Sequence, residues 1–406
     1  MINSRKKGFT LVELVIVIAV VAILAAVLIP TFSNLIKKAN ISADQQAVVQ
    51  MNKILAMDEV SDPKPTTTDK VTEILIKNSY SDDLTTYYSN YKLAWILESN
   101  VIVLVEDNKV VFPEKYAGAT NFEELKPMIK DHTSLMGEIS SSTEGKTIFL
   151  SENINEMVRV ASSDVNVSIN MNGNTVTSNS NNAVAVLDGI VELKNGTIKS
   201  GGSNYHAVAT TGSSTVTLDN VNIIGQNDPS KLMLALKTYS SDTTINIKNS
   251  VMTLINCGGV SAENGGTINL ENVIISRSGD AGLDFIETAI AVAGNGTVNV
   301  NGVKYSGVDN CLYVYSSGGT INVVHGEFIG ETVITFALDK NNYPNAVYEI
   351  YISGGKFEGL INVVDGSKLE ISGGTFTNTG LTLDEFKTYV KSGHTVETVN
   401  GAFVVK

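Results

Sequence analysis

The chain has 406 residues, and 29 Lys and Arg stand against 42 Asp and Glu for a formal net charge of −13, a balance that argues against nucleic acid as a partner. With 43% apolar residues it can build real cores, so wholesale disorder is excluded. Two cysteines and four histidines rule out a disulfide framework and leave little for a zinc site, so no metal or cofactor is expected. The averages conceal a break: 30 of the 34 glycines lie beyond residue 150. Arginine occurs only as Arg5, Arg159 and Arg277, which leaves few residues for bidentate recognition of phosphate.

Arg5, Lys6 and Lys7 precede Phe9 to Ile29, a run of 21 residues whose only charge is Glu13. As a helix rising about 1.5 Å per residue it spans about 30 Å, the thickness of a bilayer core. The basic residues hold its start in the cytoplasm and place the rest of the chain outside. The alanines at 19, 22, 25 and 26 offer no A-x-A cleavage site of a secretory signal. A plain anchor has no use for Glu13 either, because a carboxylate is costly in hydrocarbon.

The stretch Lys7-Gly8-Phe9-Thr10-Leu11-Val12-Glu13 resembles the processing site of type IV prepilins and pseudopilins. The resemblance implies that a prepilin peptidase cuts between Gly8 and Phe9 and methylates the amine of Phe9, and that Glu13 pairs with the amine of a neighbouring pilin subunit during assembly. A buried carboxylate whose partner arrives only on assembly disfavours wrong register. Pro30 should kink or open the helix. Beyond it an amphipathic stretch to about Met57 offers Phe32, Leu35, Ile36, Ala39, Val48, Met51, Ile54 and Leu55 for packing on a head.

Pro63 and Pro65 mark a turn. A small α+β unit over 61–145 follows: a helix at Lys70 to Lys77, strands at Leu93 to Leu97 and Val101 to Val105, an Asp107-Asn108 turn and a return strand at Lys109 to Phe112, with Trp95 in the core. Tyr80, Tyr87, Tyr88, Tyr91 and Tyr116 read as aromatic cover for this sheet, with a sugar-stacking patch as the rarer alternative. Phe122 to Lys130 reads as a short helix leading to a linker over Ser140 to Gly145.

From about residue 147 the chain repeats. Nine segments share an apolar-x-apolar pattern followed by Asn or Gly, starting at Ile169, Val191, Val216, Ile245, Ile268, Val298, Ile321, Ile350 and Leu369. Period-two alternation makes them strands, and no helical stretch separates them. The repeat resembles the right-handed parallel β-helix of pectate-lyase-like and adhesin domains. The expected fold is mainly β: a long N-terminal helix over 9–60, the small unit, a right-handed parallel β-helix over 146–380 and a cap over 381–406. Asn195, Asn220, Asn249 and Asn272 share one turn position, where Asn tolerates left-handed backbone and stacked amides can form an internal ladder. Cys257 and Cys311, each three residues before a valine, fall on one face two coils apart and stay free thiols. The pilin-like unit is expected to cover the first coil; a helix at Leu383 to Val390 and a hairpin about Asn400-Gly401 cover the last.

Long coils carry loops at Gly225 to Leu232, Ser276 to Glu287 and Leu338 to Ala346. The second holds Arg277, Asp280, Asp284 and Glu287, a candidate ligand loop for Ca²⁺ or a uronic acid, with solvated charge as the plainer reading. His206, His325 and Lys304 show no triad or metal spacing. No enzyme is expected. The sequence points to a pilin-like subunit, minor or adhesive, held in the cytoplasmic membrane before assembly into a cell-surface filament and displaying its head to an extracellular glycan or surface ligand. A pseudopilin of a secretion or DNA-uptake machine and a pilin-anchored polysaccharide lyase or hydrolase are the alternatives.

Overall fold

The computed structural model describes residues 11–59, 63–80, 84–143, 145–200, 205–226, 233–279, 288–307 and 310–406, and the chain divides into two compact units, Met1–Pro127 and Met128–Lys406. The boundary expected from the linker-like stretch is 145/146.

In the first unit, helix α1 (Leu11–Asp58) runs unbroken through Pro30, so the expected local opening is not found. Proline leaves the Ala26 carbonyl without its helical donor, and one residue on Thr31 Oγ1 donates to the Val27 carbonyl at 2.8 Å. Burial begins only at Asp44 and continues at Val48, Met51, Leu55 and Asp58, an alternating four- and three-residue step that keeps one stripe facing a partner. Phe32, Leu35 and Ile36 are exposed, as is Ala39, which corrects their expected place against the head: the apolar face they continue is that of the membrane-length segment.

The buried stripe packs on helix α2 (Thr68–Lys77) and on a sheet whose antiparallel strands β1 (Lys92–Ile96), β2 (Val101–Glu106), β3 (Lys109–Phe112) and β4 (Glu123–Glu124) lie in the order β3-β2-β1-β4. Two polar clamps on α1 fix the docking. The buried Asp44 carboxylate accepts the backbone N–H groups of Tyr87 and Tyr88 at 2.7 and 3.0 Å, and the Asn52 amide accepts from Ile102 N–H while donating to its carbonyl, at 2.7 and 2.8 Å. Trp95 is fully buried and its Nε1 donates to Asn100 Oδ1. The helix expected over Phe122 to Lys130 is absent; Glu123 and Glu124 pair with β1 instead. Phe122, Leu125 and Met128 imitate a helical stripe, but Pro127 cannot supply a helical N–H there.

The second unit opens with helix α3 (His132–Ser140), capped by Asp131, whose Oδ1 accepts from Ser134 N–H at 2.8 Å. Behind it, strands pair in parallel with the equivalent strand one coil away. One face stacks Thr215–Asp219, Thr244–Lys248, Thr267–Glu271 and Thr297–Asn301 residue on residue. A second stacks Asn222–Gln226, Val251–Ile255 and Ile274–Ser278, and a third Leu236–Lys237, Val260–Ser261 and Ile290–Ala291. The inward row Ile148, Ile169, Leu193, Leu218, Ile247, Leu270, Val300, Val323, Ile352 and Ile371 runs through the stack in register, and all ten are buried. At about 25 cal/mol per Å² of apolar area, such continuous rows are the main favourable term of the unit.

Two register expectations are corrected. Val167, not Ile169, stands opposite Val191, and Ile169 faces Leu193. Cys311 is in register with Ala289 through the Ile290–Leu312 pair, and the pairing of Val260 with Ile290 places Gly259, not Cys257, in that row. Alternating patterns look alike after a two-residue slip, which leaves every side chain on its own face. Both thiols are nonetheless free and buried. Coil spacing is tight: a Cβ on Gly296 would lie 2.1 Å from the Ala262 carbonyl oxygen.

Both ends of the stack are closed within the unit. Leu135 and Ile139 of α3 join the core at the first coil; this covering helix falls inside the 61–145 stretch expected to supply the cover. At the last coil, helix α4 (Leu383–Lys387) inserts Phe386 between Phe376 and Phe403, with ring centroids 5.1 and 4.7 Å away. The hairpin of Val396–Val399 and Ala402–Val405 then pairs antiparallel with Gly374–Phe376, closing the edge.

Candidate functional site

Gly8 and Phe9 lie outside the described residues. Glu13 sits in the first turn of α1, where a carboxylate is favoured by the positive end of the helix dipole. From Leu11 to Ile36 the large apolar side chains of α1 are exposed. At about 1.5 Å per residue this surface extends about 39 Å, longer than a bilayer core of about 30 Å. Lys37 ends it, its ammonium 4.9 Å from the ring centre of Tyr88, and the tyrosine hydroxyl holds the lysine pKa above its ordinary value. Burying each apolar side chain of this surface is worth about 1.5–3 kcal/mol.

In the coil unit, Asp280, Asp284 and Glu287 of the candidate ligand loop lie outside the described residues, while Arg277 stands in register with Leu254. Its Nε donates to the Cys257 carbonyl at 3.2 Å, so the guanidinium is tied to the neighbouring coil. Gln226, Ile255 and Ser278 are in register, so the first two long loops leave one corner, two coils apart, as the sequence implied.

A polar cluster that sequence reading missed lies on the third face. His206 Nδ1 is 2.6 Å from the Leu234 carbonyl oxygen and Nε2 is 2.8 Å from the Tyr239 hydroxyl. A carbonyl requires a donor, so Nδ1 carries the proton and Nε2 accepts from the hydroxyl. Burial lowers the His206 pKa from 6.5 to about 4, assisted by the charge of Lys237. Lys237 Nζ lies 2.8 Å from Glu263 Oε1 and 4.9 Å from the centre of the Tyr239 ring. The same oxygen accepts from Tyr315 Oη at 2.7 Å and Ser261 Oγ at 3.1 Å. Burial and then the Glu263 charge raise the Tyr315 pKa. A histidine neutral at physiological pH and a carboxylate with three donors hold protons in place, and the cluster links successive coils. It was illegible because its members are brought together by register and not by sequence spacing.

The Asn195 series does form a ladder, but at an outer corner and not internally. Asn195, Asn220, Asn249 and Asn272 have φ between 48° and 57°, a backbone that Asn adopts readily. Asn220 donates to Asn195 at 2.9 Å and Asn195 to Asn170 at 3.3 Å; Asn272 donates to Asn249 at 3.4 Å, while Asn249 turns to Asp219 at 3.0 Å. A second ladder, Asn322 to Asn299 to Asn269 to Asn246, runs along the first face at 2.8–2.9 Å. The repeated Thr-x-Asn of these segments was its visible signal. Beside the corner ladder lies an open groove of about 660 Å³ lined by Gly173, Asn195, Gly196, Asn220, Val221, Asn222, Asn249, Val251 and Thr253.

Residues 3–29 match the family model described as the Prokaryotic N-terminal methylation motif: the chain begins with the processing signal of type IV prepilins, followed by an apolar helix suited to membrane anchoring. Three sequences of the Type IV major fimbrial protein FimA of Dichelobacter nodosus are each 45% identical over 49 residues, 12% of this chain and 31% of the relative. The chain thus spans about a third of the length of the curated relatives it matches. No solved structure matches the chain.

Proposed function

We propose that the chain is a type IV pilin-like subunit, minor or adhesive, that carries a right-handed parallel β-helix as a cell-surface binding head. The carrying observation is the methylation motif over residues 3–29 on an apolar helical surface that is exposed among the described residues from Leu11 to Ile36. Prepilin peptidase cleaves after Gly8 and methylates Phe9. The helix then waits in the cytoplasmic membrane with the head outside until neighbouring subunits replace the lipid around it, and the Glu13 carboxylate meets the amine of the adjacent subunit.

Stacked parallel coils closed at both ends support the β-helix reading. They also favour a display role over a densely packed major subunit, because a long rigid head needs room. The charge of −13 falls by three once Arg5, Lys6 and Lys7 are removed, and such a head repels polyanions. That directs the binding role toward neutral glycans. No catalytic role is assigned: His206, the one histidine held in a buried polar cluster, is kept neutral and tied on both nitrogens.

Shearing of cells followed by immunoblotting tests the assembly step. The wild-type chain should enter the sheared surface fraction and Glu13→Ala should remain in the membrane fraction. A wild-type chain that never leaves the membrane would overturn the filament reading in favour of a periplasmic machine or a plain anchor.

A further inference from the structure

We infer that the groove beside the corner asparagines is a binding site for an uncharged carbohydrate chain, laid along the stack with one amide step per coil. The inference rests on the proposed glycan-binding role of the head and gives it a location away from the acidic loop first singled out.

The groove's volume of about 660 Å³ falls in the range of small-molecule sites, about 300–1,000 Å³. No charged side chain lines it. On the strand side, the residues preceding the four corner asparagines alternate in sign in register, Lys194, Asp219, Lys248 and Glu271, so this border carries no net charge. A charged polymer gains nothing there, while a neutral polyol loses nothing.

The amides supply the recognition. A side-chain amide has two N–H donors and two lone pairs. Asn195 and Asn249 each spend one N–H and one lone pair on the ladder, which leaves one donor and one acceptor per residue at the outer corner. That combination suits a hydroxyl, which both donates and accepts. Parallel coils set the spacing at about 4.8 Å, and left-handed backbone at φ 54° and 48° fixes Asn220 and Asn249. An array fixed in advance loses little freedom on binding. Val251, which is exposed, and the glycines provide a low apolar floor for the faces of sugar rings.

The face ladder at Asn246 to Asn322 is the internal control, with the same amide bonds and no part in lining this groove.

The test applies detergent-solubilised full-length chain to immobilised cello-, chito-, manno- and xylo-oligosaccharides of two to six residues, with oligouronates as the charged comparison. Wild type should bind at least one neutral series, with affinity rising with chain length and little changed by salt. Asn220→Gly with Asn249→Gly removes two amides while keeping a residue content with positive φ, and should weaken binding at least tenfold. Asn299→Ala should leave it within twofold. Neutral-glycan binding that survives the double glycine variant overturns the groove assignment and leaves the glycan role standing. Preference for oligouronates, or no binding to any series, overturns both.

Discussion

The apolar half of α1 and the coil stack are built from the same residues, chiefly Ile, Val and Leu, and their fates are opposite. Leu11 to Ile36 expose their side chains along one helix, whereas the inward row from Ile148 to Ile371 is buried throughout. A coil finds the partner for its apolar face one repeat away in the same chain. The described half-helix from Leu11 to Ile36 has no such repeat beside it, and the proposed function gives it lipid and neighbouring subunits as partners. Sequence pattern measures how much apolar surface an element has, and topology decides whether the chain itself can cover it.

The largest effect that sharpens this contrast is a core truncation. Phe357 stacks between Phe328 and Phe376 at 5.4 and 4.8 Å, and Phe357→Ala should cost about 3–5 kcal/mol in denaturant unfolding of the coil unit. Leu24→Ala, in the exposed half of α1, should change that stability by less than about 0.5 kcal/mol. Equal effects would erase the distinction.

Acid should act on the stack next. His206 is held near pKa 4, below its unfolded value of 6.5, so the unfolded state binds more protons between these values. Stability from this group is complete above about pH 6.5 and is lost as pH falls toward 4, by about 3 kcal/mol. Comparing the wild type with His206→Gln across that window cancels the carboxylate titrations common to both. The variant should be flatter with pH, and parallel curves would mean that the histidine is not buried as a neutral ring.

In the packed half of α1, Asp44→Ala strips an acceptor from the Tyr87 and Tyr88 N–H groups and should cost about 2 kcal/mol, read by thermal unfolding of the full chain. The smallest effect is chemical. Burial raises the Cys257 thiol to about 12 and the Cys311 thiol still further, so a disulfide reagent at pH 8 should titrate neither in the native chain and both after unfolding.

Much of this was readable in advance where one interaction range dominated. The membrane-length run, the hairpin about Asp107-Asn108 and eight of the repeat starts, from Val191 to Leu369, follow from local periodicity and from like stacking on like. Failures came where periodicity is degenerate. Ile169 and Val167 serve equally well as an inward residue, and Phe122, Leu125 and Met128 imitate a helix where Glu123 and Glu124 instead pair with β1. The site was less legible than the fold. Glu13 is read from a linear motif, but the Glu263 carboxylate gathers Lys237, Ser261 and Tyr315 from different coils, and only the pairing register brings them together.

The first nine residues carry the prepilin assignment more than any other part of the chain. Intact-mass and N-terminal analysis of the protein isolated from its own cells should give a chain that starts at Phe9, eight residues short of the gene product and carrying one added methyl group on its amine. A chain that starts at Met1, with Arg5, Lys6 and Lys7 still attached, would contradict it.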